Sequence, residues 1–166
     1  QAAVLPLGMS TAAAALFQKE HLRLPPPSLN RRQLANRKLL LVWGGTTSAG
    51  CNAIQLAIAA GCDVVATDLP KNFDYVRELG ASHVVNSCSS TALADLRNIF
   101  RGKKSAGAFD TVGSEESIRF CGSVVGQGHV VSASKVSAAD IRLNDVSSWI
   151  FEEFLPRALA EGKYKT

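Results

Sequence analysis

The chain has 166 residues, 46% hydrophobic and 19% charged, which suffices for one domain with its own core and excludes a disordered segment. A formal net charge of +4 is a modest excess. Its basic groups, Arg31/Arg32/Arg37/Lys38 and Arg101/Lys103/Lys104, flank predicted elements without interleaved aromatic residues, so no nucleic-acid partner is expected.

In chain order, Leu5–Lys19 reads as a helix, and Pro25-Pro26-Pro27 ends that region because proline neither continues a helix nor donates to a sheet. The uncharged stretch Ala2–Phe17 has no basic segment before it and is too short to span a bilayer, so neither a signal peptide nor a membrane anchor is expected. Because the chain opens on Gln1, it reads as an internal segment of a longer protein. After a polar connection, Leu39-Leu40-Leu41-Val42 is the short apolar run of a strand buried on both faces. Gly44–Gly50 forms a turn, Asn52–Ala60 a helix stopped by Gly61, and Asp63–Thr67 a second strand ending at Asp68. The alternation continues through a helix at Asn72–Leu79, a strand at Ser82–Val85, a helix at Thr91–Phe100, a strand at Ala106–Thr111, a helix at Ser114–Cys121 and a strand at Gly128–Ser132. Val146–Ile150 reads as a sixth strand and Glu152–Ala160 as a closing helix. This spacing predicts an α/β fold, a Rossmann-type doubly wound parallel sheet flanked by helices. Residues 1–27 form its leading helix and proline-rich turn, 39–132 its βα units, and 133–166 its closing strand and helix.

The first strand–turn–helix carries the chemistry. Gly45, Thr47 and Gly50 stand at the three key positions of G-x-G-x-x-G, with threonine replacing the middle glycine. Such a turn brings the backbone close to a pyrophosphate, which the amides and partial positive charge of the following helix attract; threonine and serine hydroxyls can add hydrogen bonds to it. Asp68 ends the second strand, where a carboxylate can accept ribose hydroxyls and repel a 2′-phosphate. Lys71 can pair with that phosphate or neutralise Asp68, which leaves NAD and NADP both open.

The cysteines Cys51, Cys62, Cys88 and Cys121 are scattered, and no metal site is expected from them. A thiol at position 51, beside the helix N-terminus, is one whose pKa can fall. His21, His83 and His129 are isolated, without the partner that general-base work needs. Trp43 reads as a packing residue under the glycine turn.

Leu5-Pro6-Leu7 with Ser10-Thr11-Ala12, then Leu41–Gly50, Ala53–Ala57, Pro70–Val76, Leu79–Asn86 and Phe109–Gly113 occur in an order that resembles the cofactor domain of medium-chain dehydrogenases/reductases of the zinc-binding-dehydrogenase type. The variant is similar to the quinone-oxidoreductase and fungal trans-acting enoyl-reductase branch. The resemblance implies that Thr46, Thr47, Ser48 and Ala49 wrap the pyrophosphate of NADP or NAD, and that Asp68 and Lys71 read the adenosine ribose. It places Ser87 where many relatives have a tyrosine near that ribose, Val112 and Gly113 along the channel to the nicotinamide, and Thr11 on the nicotinamide side of the cleft. That branch usually lacks catalytic zinc and binds NADP(H) more often, whereas Asp68 replaces a small residue common there and argues for NAD.

The implied activity is hydride transfer to or from an enone, quinone or carbonyl substrate by a cytoplasmic enzyme. The chaperonin-10-like catalytic domain of such enzymes is missing, so the catalytic residues are unknown and this chain alone is expected to bind cofactor with little turnover. Family members often dimerise through the sheet edge, which would put Val146–Ile150 in a homodimer interface. Two other readings stand beside this one, an S-adenosylmethionine-dependent methyltransferase and a non-catalytic dinucleotide-binding module.

Overall fold

A computed structural model describes residues 4–28, 37–126, 130–136 and 150–165. Helix α1 (Val4–Phe17) leads into β1 (Leu39–Trp43), α2 (Ser48–Ala59), β2 (Asp63–Asp68), α3 (Phe73–Glu78), β3 (His83–Asn86), α4 (Ala92–Phe100), β4 (Ser105–Asp110), α5 (Glu115–Val125) and β5 (Val130–Ser132), with α6 (Leu155–Ala160) last. The strands are all parallel, in the order β3-β2-β1-β4-β5. The expected doubly wound α/β fold is therefore the fold that forms.

Side-chain alternation along β1 divides the core. Leu40 and Val42 join Val64, Ala66 and Phe109 on one face, covered by α1, α2, α3 and α6. Leu39, Leu41 and Trp43 point the other way, with Val65 and Ala108, into a second cluster closed by Leu96 and Phe100 of α4 and Cys121 and Val125 of α5. Trp43 is a packing residue as expected, its ring tilted against Phe120 at 5.4 Å.

Three expectations change. Helix α1 stops at Phe17, and the chain turns through residues 18–22 before reaching the prolines, so the prolines do not terminate it. Helix α5 runs past Cys121 to Val125, because these two residues, one turn apart, extend its buried stripe. Of the proposed sixth strand, 146–149 lie outside the described residues; Ile150 is fully buried in a π-helical turn, Ile150–Phe154, that feeds α6. Gln127, Gly128 and His129 also lie outside the described residues, and β5 begins at Val130. His83 is exposed at the start of β3.

The four thiols are unpaired and differ in access. Burial pushes the Cys62 thiol up to about 11 and the Cys121 thiol higher still. With Cys88 exposed, a thiol reagent at pH 8 is expected to modify Cys88 first and Cys51 slowly, leaving Cys62 and Cys121 until the protein unfolds. Peptide mapping after timed labelling checks this order, and early modification of Cys121 would contradict it.

Candidate functional site

After β1 the chain leaves toward α2 on one face of the sheet, and after β4 it leaves toward α5 on the other. Between the carboxyl ends of these adjacent strands lies the crevice where doubly wound folds bind ligands. The Gly44–Gly50 turn follows β1 there, Asp68 ends the neighbouring β2, and Val112 and Gly113 follow β4.

One wall is the turn from β1 into α2. Gly44, at φ +89°, takes the left-handed conformation, and the amides of Gly44 and Gly45 donate to Thr67 O at 3.2 and 2.9 Å. The tight-turn glycine is thus Gly44, where the sequence pattern had pointed to Gly45. Gly45 instead permits close packing, since a Cβ there would meet Val76 at 3.2 Å. Gly50 has the expected helix-to-strand role: a Cβ there would lie 2.1 Å from Gly44 O.

Thr47 is the N-cap of α2, its hydroxyl accepting from Gly50 N at 2.9 Å and donating to Gly44 O at 3.1 Å. The Thr46 hydroxyl donates to Asp68 Oδ2 at 2.8 Å. Both threonine protons expected on a phosphate are therefore engaged inside the protein. The first intrahelical bond runs from Cys51 N to Thr47 O, so the Ser48 and Ala49 amides lie ahead of the helical ladder. The first turn of α2 holds no acidic residue to offset the helix dipole.

Asp68, 7% exposed, closes this wall from β2. Its Oδ2 accepts the Thr46 amide as well as the hydroxyl, both at 2.8 Å, and its Oδ1 accepts Leu69 N at 2.8 Å and Asn72 Nδ2 at 2.5 Å. Burial pushes its pKa up, but the bonds from Asn72, Thr46 and Leu69 outweigh burial and hold the carboxyl below the usual carboxylate range. A depressed folded-state pKa means that this stabilisation is complete above the unfolded value of about 4 and is lost as pH falls through the lower folded value. Urea midpoints are accordingly expected to drop on acidification below about pH 4, and less so in Asp68→Asn. Equal acid sensitivity of the two proteins would contradict this.

Ser87, just past β3, donates its amide to Asp68 O at 3.1 Å, which sets it beside the end of β2. Lys71 is exposed in the short 3-10 turn Pro70–Asn72.

The opposite wall follows β4. Asp110, fully buried, accepts Val112 N at 3.1 Å on Oδ1, and Gly113 N and the Ser117 hydroxyl at 3.0 Å on Oδ2. It thereby shapes the loop and ties it to the capping box of Ser114 and Ser117 that starts α5. The Thr111 hydroxyl lies 2.7 Å from Trp43 O and 3.0 Å from Gly44 O, linking the two walls. Val112 stands 57% exposed above Gly44, where an added Cβ would meet its methyl at 3.2 Å. Gly113 faces Ser134.

Helix α1 reaches the same edge through Gly8, where a Cβ would lie 2.2 Å from Ser48 Oγ. Thr11 follows one turn later, partly buried. Behind α2, the buried Tyr164 hydroxyl donates to Asn52 Oδ1 at 2.6 Å, and the Gln55 amide exchanges two bonds with the Lys165 backbone, at 2.5 and 3.0 Å. Cys51 does not acquire a low pKa, because burial, aided by the nearby Asp68 charge, pushes the thiol up against the lowering hydrogen bonds from Tyr75 and the backbone; its Sγ lies 3.4 Å from Gly45 O. Sequence reasoning missed Asp110, Gly44, Gly8 and Asn72. An aspartate at a strand end, four residues before a serine N-cap pattern, was the available signal for the first.

With this geometry, the zinc-binding dehydrogenase family matches residues 49–147. The chain belongs to that family. Dehydrogenase azaJ of Aspergillus niger is 39% identical across 99% of this chain and 53% of its own length. Trans-enoyl reductase himH of Aspergillus japonicus is 37% identical across 99% of this chain and 52% of its own. An alcohol dehydrogenase superfamily protein from Novosphingobium aromaticivorans superposes with a TM-score of 0.68 at 25% identity, over 98% of this chain and 52% of that one. This zinc-binding dehydrogenase family domain thus spans about half the length of these relatives. Among its described residues, no helix is long and apolar enough to cross a membrane, and no three His, Cys, Asp or Glu side chains are grouped to hold a metal ion.

Proposed function

We propose that this chain is the cofactor-binding domain of an NAD(P)H-dependent oxidoreductase that moves a hydride to or from an enone, quinone or carbonyl substrate. The observation that carries the reading is the start of α2, where the Ser48 and Ala49 amides stand ahead of the helical ladder at the crevice between β1 and β4, with no acid in that turn. A pyrophosphate fits such a place, and Gly44, Gly45 and Gly50 let the turn pack this tightly against its protein neighbours. Ser48 and Ala49 would hold the pyrophosphate by their amides, with Thr46 and Thr47 shaping the loop from within. Lys71 and Ser87 would border the adenosine ribose, and Val112, Gly113 and Thr11 would border the ring end. When bound, the nicotinamide supplies or accepts the hydride, and the protein orients it and keeps water away.

The names of relatives support this reading, since azaJ is called a dehydrogenase and himH a trans-enoyl reductase. We expect the full chain to bind NADPH or NADH in a calorimetric titration at fixed ionic strength, with pyrophosphate competing and S-adenosylmethionine giving no heat. Absence of binding to both dinucleotides overturns the reading. Heat from S-adenosylmethionine favours the methyltransferase instead. A cytoplasmic location and dimerisation belong to the same proposal. Fractionation and sedimentation test them.

A further inference from the structure

We infer that Asp68 is a positioning residue of the nucleotide site: its carboxylate holds the β1–α2 turn closed through Thr46 and does not read the cofactor's ribose, so that choice between NADH and NADPH rests on Lys71. The inference depends on the dinucleotide reading above. An acid at the end of β2 ordinarily suggests a ribose contact, but such a contact requires free lone pairs. A carboxylate offers about four acceptor sites, and Asp68 already accepts four donors, from Thr46 N, Thr46 Oγ1, Leu69 N and Asn72 Nδ2, all between 2.5 and 2.8 Å. The side chain is buried. A ribose diol binding in bidentate fashion would have to displace two of those donors, leaving a backbone amide or the Asn72 amide without its acceptor.

The same bonds span two loops. Thr46 belongs to the turn that precedes α2, while Leu69 and Asn72 belong to the turn that precedes α3, and Asn72 also approaches Thr46 Oγ1 at 3.4 Å. Asp68 therefore joins the two backbone segments that border the nucleotide crevice. Two residues beyond Leu69, Lys71 is exposed on the second of these turns, and no salt bridge among the described residues engages it. This puts an exposed cation on the turn after β2, where it can meet a 2′-phosphate.

The test uses the full chain with NADH and NADPH as separate probes, and amide hydrogen exchange at Thr46 as a second measurement. Asp68→Asn is expected to weaken both dinucleotides in the same proportion and to speed exchange at Thr46. Lys71→Ala is expected to lower NADPH affinity by about tenfold, the scale of one charge-assisted phosphate contact, and to leave NADH unchanged. If Asp68→Asn instead swings preference toward NADPH by about tenfold or more, Asp68 reads the ribose and the inference is overturned. Should Asp68→Asn fail to fold, Asn72→Ala serves in its place. Removing one donor weakens both dinucleotides equally if Asp68 is a latch, and selectively favours NADH if the freed oxygen can reach a ribose. If the parent protein binds neither dinucleotide, the functional reading fails by itself. The latch is then judged by exchange alone, and equal Thr46 protection in parent and Asp68→Asn overturns it.

Discussion

Gly50→Ala is expected to destabilise the protein by about 3 kcal/mol, against the sign that helix propensity gives. Position 50 lies in the first turn of α2, where alanine would ordinarily favour the helix by up to about 1 kcal/mol. The added methyl would sit 2.1 Å from Gly44 O and 2.9 Å from the Thr47 hydroxyl. Neither neighbour can yield cheaply. Gly44 O is carbonyl backbone of a left-handed turn, and the Thr47 hydroxyl is the N-cap of the same helix. Relief requires α2 to lift from β1, which opens the buried contacts of Ala53, Ile54 and Ala57. Urea denaturation measures the effect as a lower midpoint at unchanged slope. The same displacement moves the Ser48 and Ala49 amides, so dinucleotide affinity is expected to fall with stability. An alanine variant as stable as its parent would mean that α2 does not approach β1 this closely.

Asp110→Ala is expected to cost about 4 kcal/mol, because it strips the acceptor from Val112 N, Gly113 N and the Ser117 hydroxyl inside a fully buried site. Serine 117 can turn back to Ser114 O at 2.9 Å, so the two amides carry most of the loss. Asp110→Asn keeps one carbonyl oxygen for Val112 N and is expected to lose about half as much. Thermal unfolding of the two variants checks the order. Indistinguishable behaviour of alanine and asparagine would show that the carboxylate's shape and acceptors do not organise this loop.

The alternation of strands and helices was legible because parallel strands buried on both faces leave runs such as Leu39–Val42, and because Gly61, Gly80 and Gly102 stand just past the helices they stop. The site was legible as a place and less so as a set of roles. Gly50 could be read from motif spacing, whereas the left-handed turn at Gly44 depends on backbone angles that two adjacent glycines satisfy equally well on paper. Thr46 and Thr47 were expected to give their hydroxyl protons to phosphate, and instead a carboxylate and a carbonyl within reach take them. Those acceptors come from elsewhere in the fold or from the turn itself, and residue type alone does not reveal such competition. Asp110 looked like an ordinary strand end because its burial arises from the packing of the loop that follows it. Gly8 carries its meaning only once α1 is laid across Ser48. At Ile150, the described residue of the expected sixth strand, the core takes up an apolar side chain from a helical turn.

The strand order has a consequence for how the chain acquires its structure. Strand β1 pairs with β2 almost at once along the sequence, but its other edge is filled by β4, which arrives only after two further βα units. A chain that has emerged as far as α4 can assemble β1, β2 and β3 and still present the bare edge of its central strand, with Leu39 and Leu41 lacking their neighbour Ala108 on the second face. An open edge on so apolar a strand is an invitation to pair with another chain. Docking of β4 covers that edge of the central strand and in the same step forms the crevice between β1 and β4, the site proposed for the nucleotide.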